Sequence, residues 1–202
     1  MNRDLNTWHF KRAQRRSIIA AILALDFHDR EAREARLIEN LPALPGYEAA
    51  ESILLYVKGL PEELDSRPFF RHALQLGKRV LCPRVDRSAH RLGLFRVTSL
   101  ANDLEPGILG IPEPRPHCPE VDPSQVDWAL IPGLAFDRQC YRLGRGGGHY
   151  DRLLPLLRPD ALCWGMGFNC QIVPRLPVEP HDVPLSGVAT EEGIIRRVEE
   201  PR

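Results

Sequence analysis

The chain reads Leu134-Ala-Phe-Asp-Arg-Gln-Cys-Tyr-Arg-Leu-Gly-Arg-Gly-Gly-Gly-His-Tyr-Asp-Arg152 between a predicted strand at residues 128–133 and a predicted helix at residues 147–157. Glycines lack a Cβ atom, so the backbone N–H groups of such a turn can approach a ligand closely. The positive end of the helix behind the turn favours phosphate oxygens. The stretch therefore predicts a strand–turn–helix unit with a phosphate site at the turn.

The charged residues of this stretch support the same interpretation. Arg142 and Arg145 flank Gly144 with guanidinium groups, which bind phosphate in a bidentate manner. Asp151 falls on the first turn of the predicted helix, where it either stabilises the positive helix end or binds the magnesium of a nucleotide. The remaining glycines of the turn are Gly146, Gly147 and Gly148.

Three common motifs are excluded by the sequence. A Walker A loop ends in Gly-Lys-Ser/Thr, but Gly77-Lys78 is followed by Arg79. A dinucleotide-binding fingerprint that starts at Gly144 would need a glycine at position 149, which is a histidine. The chain has no Gly-x-Ser-x-Gly motif, so it offers no serine nucleophile of the hydrolase type.

Short apolar runs separated by turns surround this stretch. The other predicted elements are helices at residues 7–25, 29–41 and 66–77, strands at 52–57, 79–85, 92–97 and 161–168, and an edge strand at 193–198. Ser66 is predicted to cap its helix, and six prolines in residues 101–124 predict a segment without regular structure. A strand, a helix of about ten residues and a strand imply a parallel βαβ unit, and hence an α/β fold.

Length, charge and composition restrict the function classes. The 202 residues fit one domain, with or without an N-terminal helical extension. A formal net charge of zero argues against a general nucleic-acid coat. The N-terminus lacks the apolar core of a signal peptide, and the longest apolar run is too short to span a membrane. The five cysteines form no CxxC pair and are predicted to be reduced thiols, so we expect a soluble, cytoplasmic protein.

Lys11 and Arg15 are four residues apart on the first predicted helix and share one of its faces. Lys11 is also the only lysine among the first 57 residues. These two cations either bind a ligand or belong to a solvated basic face.

The motifs together resemble a known family. Pro132-Gly-Leu-Ala-Phe-Asp137, followed by Arg142-Leu-Gly-Arg-Gly-Gly-Gly-His-Tyr-Asp-Arg152, resembles the signature of the 5-formyltetrahydrofolate cyclo-ligase (methenyltetrahydrofolate synthetase) family. Lys11-Arg-Ala-Gln-Arg15 is similar to the nucleotide-binding Lys-x-x-x-Arg of that family. The resemblance covers nearly the whole chain. It implies a mostly parallel sheet flanked by helices, a three-layer sandwich of the ribose-5-phosphate isomerase and CoA-transferase type. It also implies a single domain over residues 1–202, with helices 7–41 packed on the α/β core.

The resemblance implies an enzyme that depends on ATP and Mg²⁺. ATP would phosphorylate the N5-formyl oxygen of 5-formyltetrahydrofolate, and ring closure by N10 would give 5,10-methenyltetrahydrofolate, ADP and phosphate. The implied partner is this small molecule, with or without a polyglutamate tail, and neither nucleic acid nor membrane; the chain is expected to be a monomer or a weak homodimer. Two alternatives stay open: a paralogue that acts on another formyl or amide substrate, and a folate- or nucleotide-binding protein without turnover.

The resemblance also assigns roles to residues of this chain. ATP binding falls to Lys11, Arg15, Arg142, Gly144, Arg145, Gly146, Gly147, Gly148, His149 and Tyr150. Folate binding falls to Tyr56, Glu63, His149 and Tyr150, catalysis to Arg145 and Tyr150, and magnesium binding to Asp151 and Asp182.

Several of these assignments have an alternative. Tyr56 could equally serve as a core aromatic residue, and Asp182 could cap a turn beside Pro180. The loop at residues 58–63 is about one residue longer than in typical family members, so Glu62 is an alternative to Glu63. His149 stands where many members have a tyrosine.

Overall fold

The computed structural model describes residues 2–197. Within this range the α-helices are α1 (Asn2–Leu23), α2 (Phe27–Asn40), α3 (Arg67–Gln75) and α4 (His149–Leu153). The strands are β1 (Ser52–Leu55), β2 (Arg79–Asp86), β3 (Arg91–Arg96), β4 (Leu104–Pro106), β5 (Pro112–Pro114), β6 (Glu120–Val121), β7 (Trp128–Ile131), β8 (Ala135–Asp137), β9 (Arg142–Leu143), β10 (Leu162–Met166), β11 (Ile172–Val173), β12 (Gly187–Thr190) and β13 (Gly193–Arg196).

A central sheet of eight strands organises the molecule in the order β13-β12-β10-β7-β1-β2-β3-β6. The five strands β12, β10, β7, β1 and β2 run parallel to one another. β13 pairs antiparallel with β12 at one edge, and β3 and β6 extend the other edge in antiparallel pairs. β1 and β2 pair in parallel on either side of α3, which confirms the predicted βαβ unit. The mostly parallel α/β fold expected from the sequence is therefore confirmed.

Apolar residues pack on both faces of the sheet. Successive residues of β1 point to opposite faces, so Ile53 joins one core cluster and Leu54 joins the other. Helices α1, α2 and α3 cover the first face; for example, Ile22 of α1 and Leu37 of α2 are fully buried there. Residues 153–157, at the end of α4 and after it, contribute leucines to the second face. The result is a three-layer arrangement of helix, sheet and helix.

The prediction that residues 101–124 lack regular structure is wrong. β4 and β5 form an antiparallel hairpin in this segment, with Pro106 opposite Pro112 and Leu104 opposite Pro114. Each strand of a two-stranded ladder has a free edge, so prolines can stand where no N–H group is needed. β6 then pairs with β3 at the edge of the central sheet.

Details at the ends of three elements also differ from the prediction. The helix predicted at residues 147–157 ends at Leu153 and continues as a 3-10 turn that contains Pro155, because proline cannot donate to the helical ladder. Ser66 occupies the N-cap position of α3 as predicted, but its hydroxyl accepts the N–H of Lys58 at 3.0 Å and makes no capping bond. The edge strand occurs as β13, while Val198 lies outside the described residues.

Two further findings concern the helices and the thiols. No helix among residues 2–197 combines the length and the apolar character needed to cross a bilayer. All five cysteines are free, and three of them are buried.

Candidate active site

A cavity of about 510 Å³ opens at the carboxyl ends of the central parallel strands. Tyr56 follows β1 and Pro132 follows β7, and both residues line this cavity. Open α/β sheets bind ligands at this edge, and the volume suits a small molecule. The glycine-rich turn, α1, the loop after β1 and the β4–β5 hairpin form the remaining walls.

Asp137 fixes the segment that leads to the glycine-rich turn. Its carboxylate is fully buried and accepts the N–H groups of Gln139, Tyr141 and Leu176 at 3.0, 2.9 and 3.0 Å. β8 and β9 then pair as a short antiparallel ribbon that ends at the cavity. Asp137 belongs to the family signature, and no role was predicted for it from the sequence.

The glycine-rich turn requires glycine for conformational and steric reasons. Gly146 and Gly148 have φ angles of +100° and +63°, in the left-handed region that other residues rarely adopt. A Cβ atom on Gly147 would lie 2.9 Å from Cδ2 of His149. α4 behind the turn has only five residues, so the helix end contributes less than the sequence predicted. Backbone N–H groups and arginines are left as the main binding groups for an anion.

Arg142 is the most buried of the arginines that line the cavity, with 5% of its side chain exposed. Its Nη2 donates to Oδ1 of Asp151 at 2.6 Å, and its guanidinium lies 5.5 Å from the ring of Tyr150. Burial lowers the pKa of Arg142, and the negative charge of Asp151 opposes this effect. Its buried Nε has no hydrogen-bond partner within residues 2–197. A buried donor without a partner is unusual.

Arg145 extends from the turn to the loop after β1. Its Nη2 contacts Oε1 of Glu62, and its Nε lies 4.0 Å from Oε1 of Glu63. Its side chain is 43% exposed and lines the cavity.

α1 brings Lys11 and Arg15 to the same cavity. Nζ of Lys11 lies 2.6 Å from Glu179 and 3.1 Å from Asp182, and Nε of Arg15 donates to the Gly144 carbonyl at 2.8 Å. Burial lowers the pKa of Arg15. Both side chains therefore turn inward, unlike those of their exposed neighbours on α1.

The two predicted magnesium ligands both line the cavity and both contact a cation. Asp151 pairs with Arg142, as described above. Asp182 accepts the N–H of Glu179 at 2.8 Å and pairs with Lys11, so it has the turn-capping role that was its alternative. A carboxylate that already has a turn partner can still bind a metal ion, and the magnesium assignment stays a prediction.

Glu63, on the loop after β1, also lines the cavity. Its Oε2 accepts the N–H groups of Gly59 and Leu60 at 2.9 and 3.1 Å, and Oε1 remains on the cavity side near Arg145. Glu63 lines the cavity whereas Glu62 does not. This geometry favours Glu63 over Glu62 as the residue that meets a ligand.

The aromatic candidates differ in their contacts. Tyr56 is buried, and its hydroxyl donates to the Leu64 carbonyl at 3.1 Å, which supports a core role. Burial raises the pKa of the Tyr150 phenol, so this hydroxyl stays protonated at neutral pH. Burial and the nearby Arg152 lower the pKa of His149, whose Nδ1 lies 3.3 Å from that arginine.

The family model for 5-formyltetrahydrofolate cyclo-ligases matches residues 8–191. This range includes all residues that line the cavity except Thr7. The chain belongs to the 5-formyltetrahydrofolate cyclo-ligase family. The resemblance on which the site residues were assigned is thereby confirmed.

Individual cyclo-ligases and a solved structure agree with this result. The 5-formyltetrahydrofolate cyclo-ligase of Escherichia coli (strain K12) is 36% identical over 130 residues, which are 63% of this chain and 71% of that protein. The cyclo-ligase of Haemophilus influenzae is 30% identical over 176 residues, 86% of this chain and 92% of that protein. The NMR structure of Aquifex aeolicus 5,10-methenyltetrahydrofolate synthetase is 31% identical, has a TM-score of 0.82 and covers 95% of both chains.

Several residues of this cyclo-ligase site were missed in the sequence. Trp8 of α1 is half exposed at the cavity, and Glu179 is the closer partner of Lys11. Ile108 and Ile111 belong to the segment that was predicted to lack structure, although isoleucines between prolines were a signal for a buried hairpin. Glu113 lies on the same hairpin, and burial raises its pKa.

Proposed function

We propose that this chain converts 5-formyltetrahydrofolate into 5,10-methenyltetrahydrofolate, with ATP converted to ADP and phosphate. Family membership supports the reaction. The observation that carries the proposal is the convergence of Lys11, Arg15, Arg142 and Arg145 on one cavity beside the glycine-rich turn. Such a set of cations fits the phosphates of a nucleotide, and the folate would occupy the part of the cavity near Glu63.

The chemistry explains why the residues are arranged in this way. Phosphorylation of the N5-formyl oxygen makes it a leaving group, after which N10 attacks the formyl carbon and phosphate departs. The protein then has to position the phosphates and offset their charge. Lys11 and Arg15 would hold the nucleotide from the side of α1, and Arg142 and Arg145 from the side of the turn.

Tyr150 and Arg145 are proposed as the catalytic residues. The raised pKa of Tyr150 keeps its hydroxyl protonated. This hydroxyl would donate a hydrogen bond to the formyl oxygen, which leaves with the phosphate and gains negative charge as it departs. Arg145 would stabilise the charge on the phosphoryl group during transfer. The glycines at 144 and 146–148, together with His149, would contact the phosphates through the backbone.

Asp151 is proposed to bind magnesium, with Asp182 as a second ligand. These carboxylates would hold the ion beside the phosphates, and Mg²⁺ would there supply positive charge that offsets theirs. The carboxylate chemistry of Asp151 fits, since only its Oδ1 has a partner, Arg142, among the described residues.

The magnesium assignment predicts the behaviour of Asp151→Asn. The amide keeps an oxygen for Arg142 but loses the negative charge, so the Mg²⁺ concentration for half-maximal turnover is expected to rise roughly tenfold. Initial rates over a magnesium titration measure this. A variant whose magnesium curve matches that of the wild type would leave Asp151 as a partner of Arg142 alone.

Glu63 is proposed to accept hydrogen bonds from the amino and ring N–H groups of the pterin. In Glu63→Gln one acceptor oxygen becomes a donor, so folate affinity is expected to fall about tenfold while ATP affinity stays nearly constant. Calorimetry with each ligand measures both values. Glu51→Gln, an exposed change before β1, is the control and should bind folate like the wild type. Equal folate affinity in Glu63→Gln would contradict the assignment.

The proposed reaction itself is tested by absorbance. Purified protein is mixed with 5-formyltetrahydrofolate, ATP and Mg²⁺, and the absorbance band of methenyltetrahydrofolate is followed. The proposal expects growth of the band with one ADP formed per folate closed. Binding of both ligands without the band would indicate a binding protein without turnover. ADP formation with another formyl or amide compound alone would indicate a paralogue.

We further propose that residues 1–202 act as one domain. α1 provides both Lys11 and Arg15 to the site and Ile18 and Ile22 to the core, which supports a single unit. Action in the cytoplasm, as a monomer or a weak homodimer, on folate with or without a polyglutamate tail stays a prediction.

A further inference from the structure

An ion pair connects the two sides of the cavity beside the glycine-rich turn. Glu62 lies on the loop after β1, and its Oε1 contacts Nη2 of Arg145. The side chain of Glu62 is 8% exposed, whereas that of Arg145 is 43% exposed. Among the residues that the structure describes, Arg145 is the only ion-pair partner of Glu62. A buried carboxylate therefore depends on one arginine at the edge of the cavity.

The loop that carries Glu62 is also fixed from its other side. Arg30 of α2 donates from Nη1 to the carbonyl of Pro61 and from Nη2 to the carbonyl of Glu63, both at 2.8 Å. The loop is thus held between α2 and Arg145. Any movement of Arg145 would have to break the contact with Glu62 or displace a loop that α2 restrains.

Arg145 can bind a phosphate without leaving Glu62. A guanidinium has five N–H donors in one plane, and the contact with Glu62 engages Nη2. Departure of Arg145 would leave the buried Glu62 carboxylate unpaired, which is unfavourable. The pair therefore determines which face and which donors of Arg145 remain available to a ligand.

We propose that Glu62 is a positioning residue that orients Arg145 toward the nucleotide phosphates and thereby couples nucleotide binding to folate binding. The inference rests on the proposed function. A phosphate that immobilises Arg145 also immobilises, through Glu62, the loop whose next residue, Glu63, faces the folate. Each ligand then strengthens the binding of the other by the same factor.

Calorimetry on the full chain tests this coupling. The dissociation constant of 5-formyltetrahydrofolate is measured with Mg²⁺ present, with and without a saturating non-hydrolysable ATP analogue. The analogue is expected to tighten folate binding at least about fivefold in the wild type. In Glu62→Gln the amide oxygen can still accept from Arg145, but the charge that holds the arginine is lost, so the factor is expected to fall to about half the wild-type value or less, with each ligand still binding alone.

Glu191→Gln is the matched control. Glu191 is likewise a buried carboxylate paired with an arginine, Arg33, at 2.6 Å, but it does not line the cavity. This variant should keep the wild-type coupling factor, so a general loss of stability cannot imitate the effect. Should Glu62→Gln fail to fold, Glu62→Asp keeps the charge but shortens the side chain, which weakens the contact with Arg145, and its factor should fall as well.

The outcomes separate this inference from the proposed function. Two wild-type binding curves without coupling, or an unchanged factor in the variants, would overturn the role of Glu62 and leave the reaction intact. A wild type that binds neither ligand would overturn both.

Discussion

Arg142→Met is expected to lower the melting temperature by about 6–12 °C and to reduce kcat/KM for ATP by about a hundredfold or more. Methionine fills much of the space, but it leaves the carboxylate of Asp151 without the partner that it contacts at 2.6 Å. Removal of one member of a buried ion pair costs about 3 kcal/mol, which is about 6–12 °C in a protein of this size. Loss of two charged hydrogen bonds to phosphate accounts for the kinetic effect.

A double variant separates stability from function at this position. In Arg142→Met combined with Asp151→Leu both charges are gone, so most of the lost melting temperature should return while the loss of activity remains. Arg158→Met, which removes an arginine paired only on the surface, is the control and should change neither property much. An Arg142→Met protein with wild-type ATP kinetics would exclude Arg142 from the nucleotide site.

Arg145→Ala is expected to reduce kcat/KM for ATP about 10- to 150-fold. One charge-assisted hydrogen bond to phosphate is worth about 1.5–3 kcal/mol, which is the loss expected when Arg145 is removed while Arg15 and Arg142 stay in place. Steady-state kinetics with varied ATP measure the effect. Arg138→Ala is the matched control, since Arg138 is exposed in the same segment and does not line the cavity.

The Arg145 result needs one additional variant, because alanine also leaves Glu62 buried without its partner. Arg145→Ala combined with Glu62→Gln removes this stability defect. The double variant should melt closer to the wild type yet retain the kinetic loss. Recovery of ATP kinetics along with stability would show that Arg145 acts on folding rather than on the nucleotide.

Helices and strands were predicted correctly where the local sequence signals agree with one another. The continuous apolar run of β1 indicated a buried strand, and the central sheet contains it beside the predicted strand β7. The hairpin of β4 and β5 escaped prediction because the prolines that break regular structure elsewhere stand on the free edges of a two-stranded ladder. The register in which the two strands pair decides whether their prolines are tolerated, and the residue types alone do not specify that register.

The candidate site shows the same division. The residue types of the glycine-rich turn indicated its ligand class, because backbone access and guanidinium groups are readable locally. The ion-pair partners of the cations at the site could not be predicted from the sequence. Glu179 lies 168 residues from Lys11, and Glu62 lies 83 residues from Arg145, so only the fold brings each pair together.

Trp8 gives this protein a built-in optical probe. It is 51% exposed at the mouth of the cavity, with the Arg12 guanidinium 5.2 Å from its ring, while Trp128 and Trp164 are 0% and 2% exposed in the core. These are the three tryptophans of the chain. Fluorescence that changes when a ligand enters the cavity therefore comes from Trp8, and the two core indoles supply a constant background. Stopped-flow emission can thus time the arrival of each ligand before any absorbance signal of the product forms.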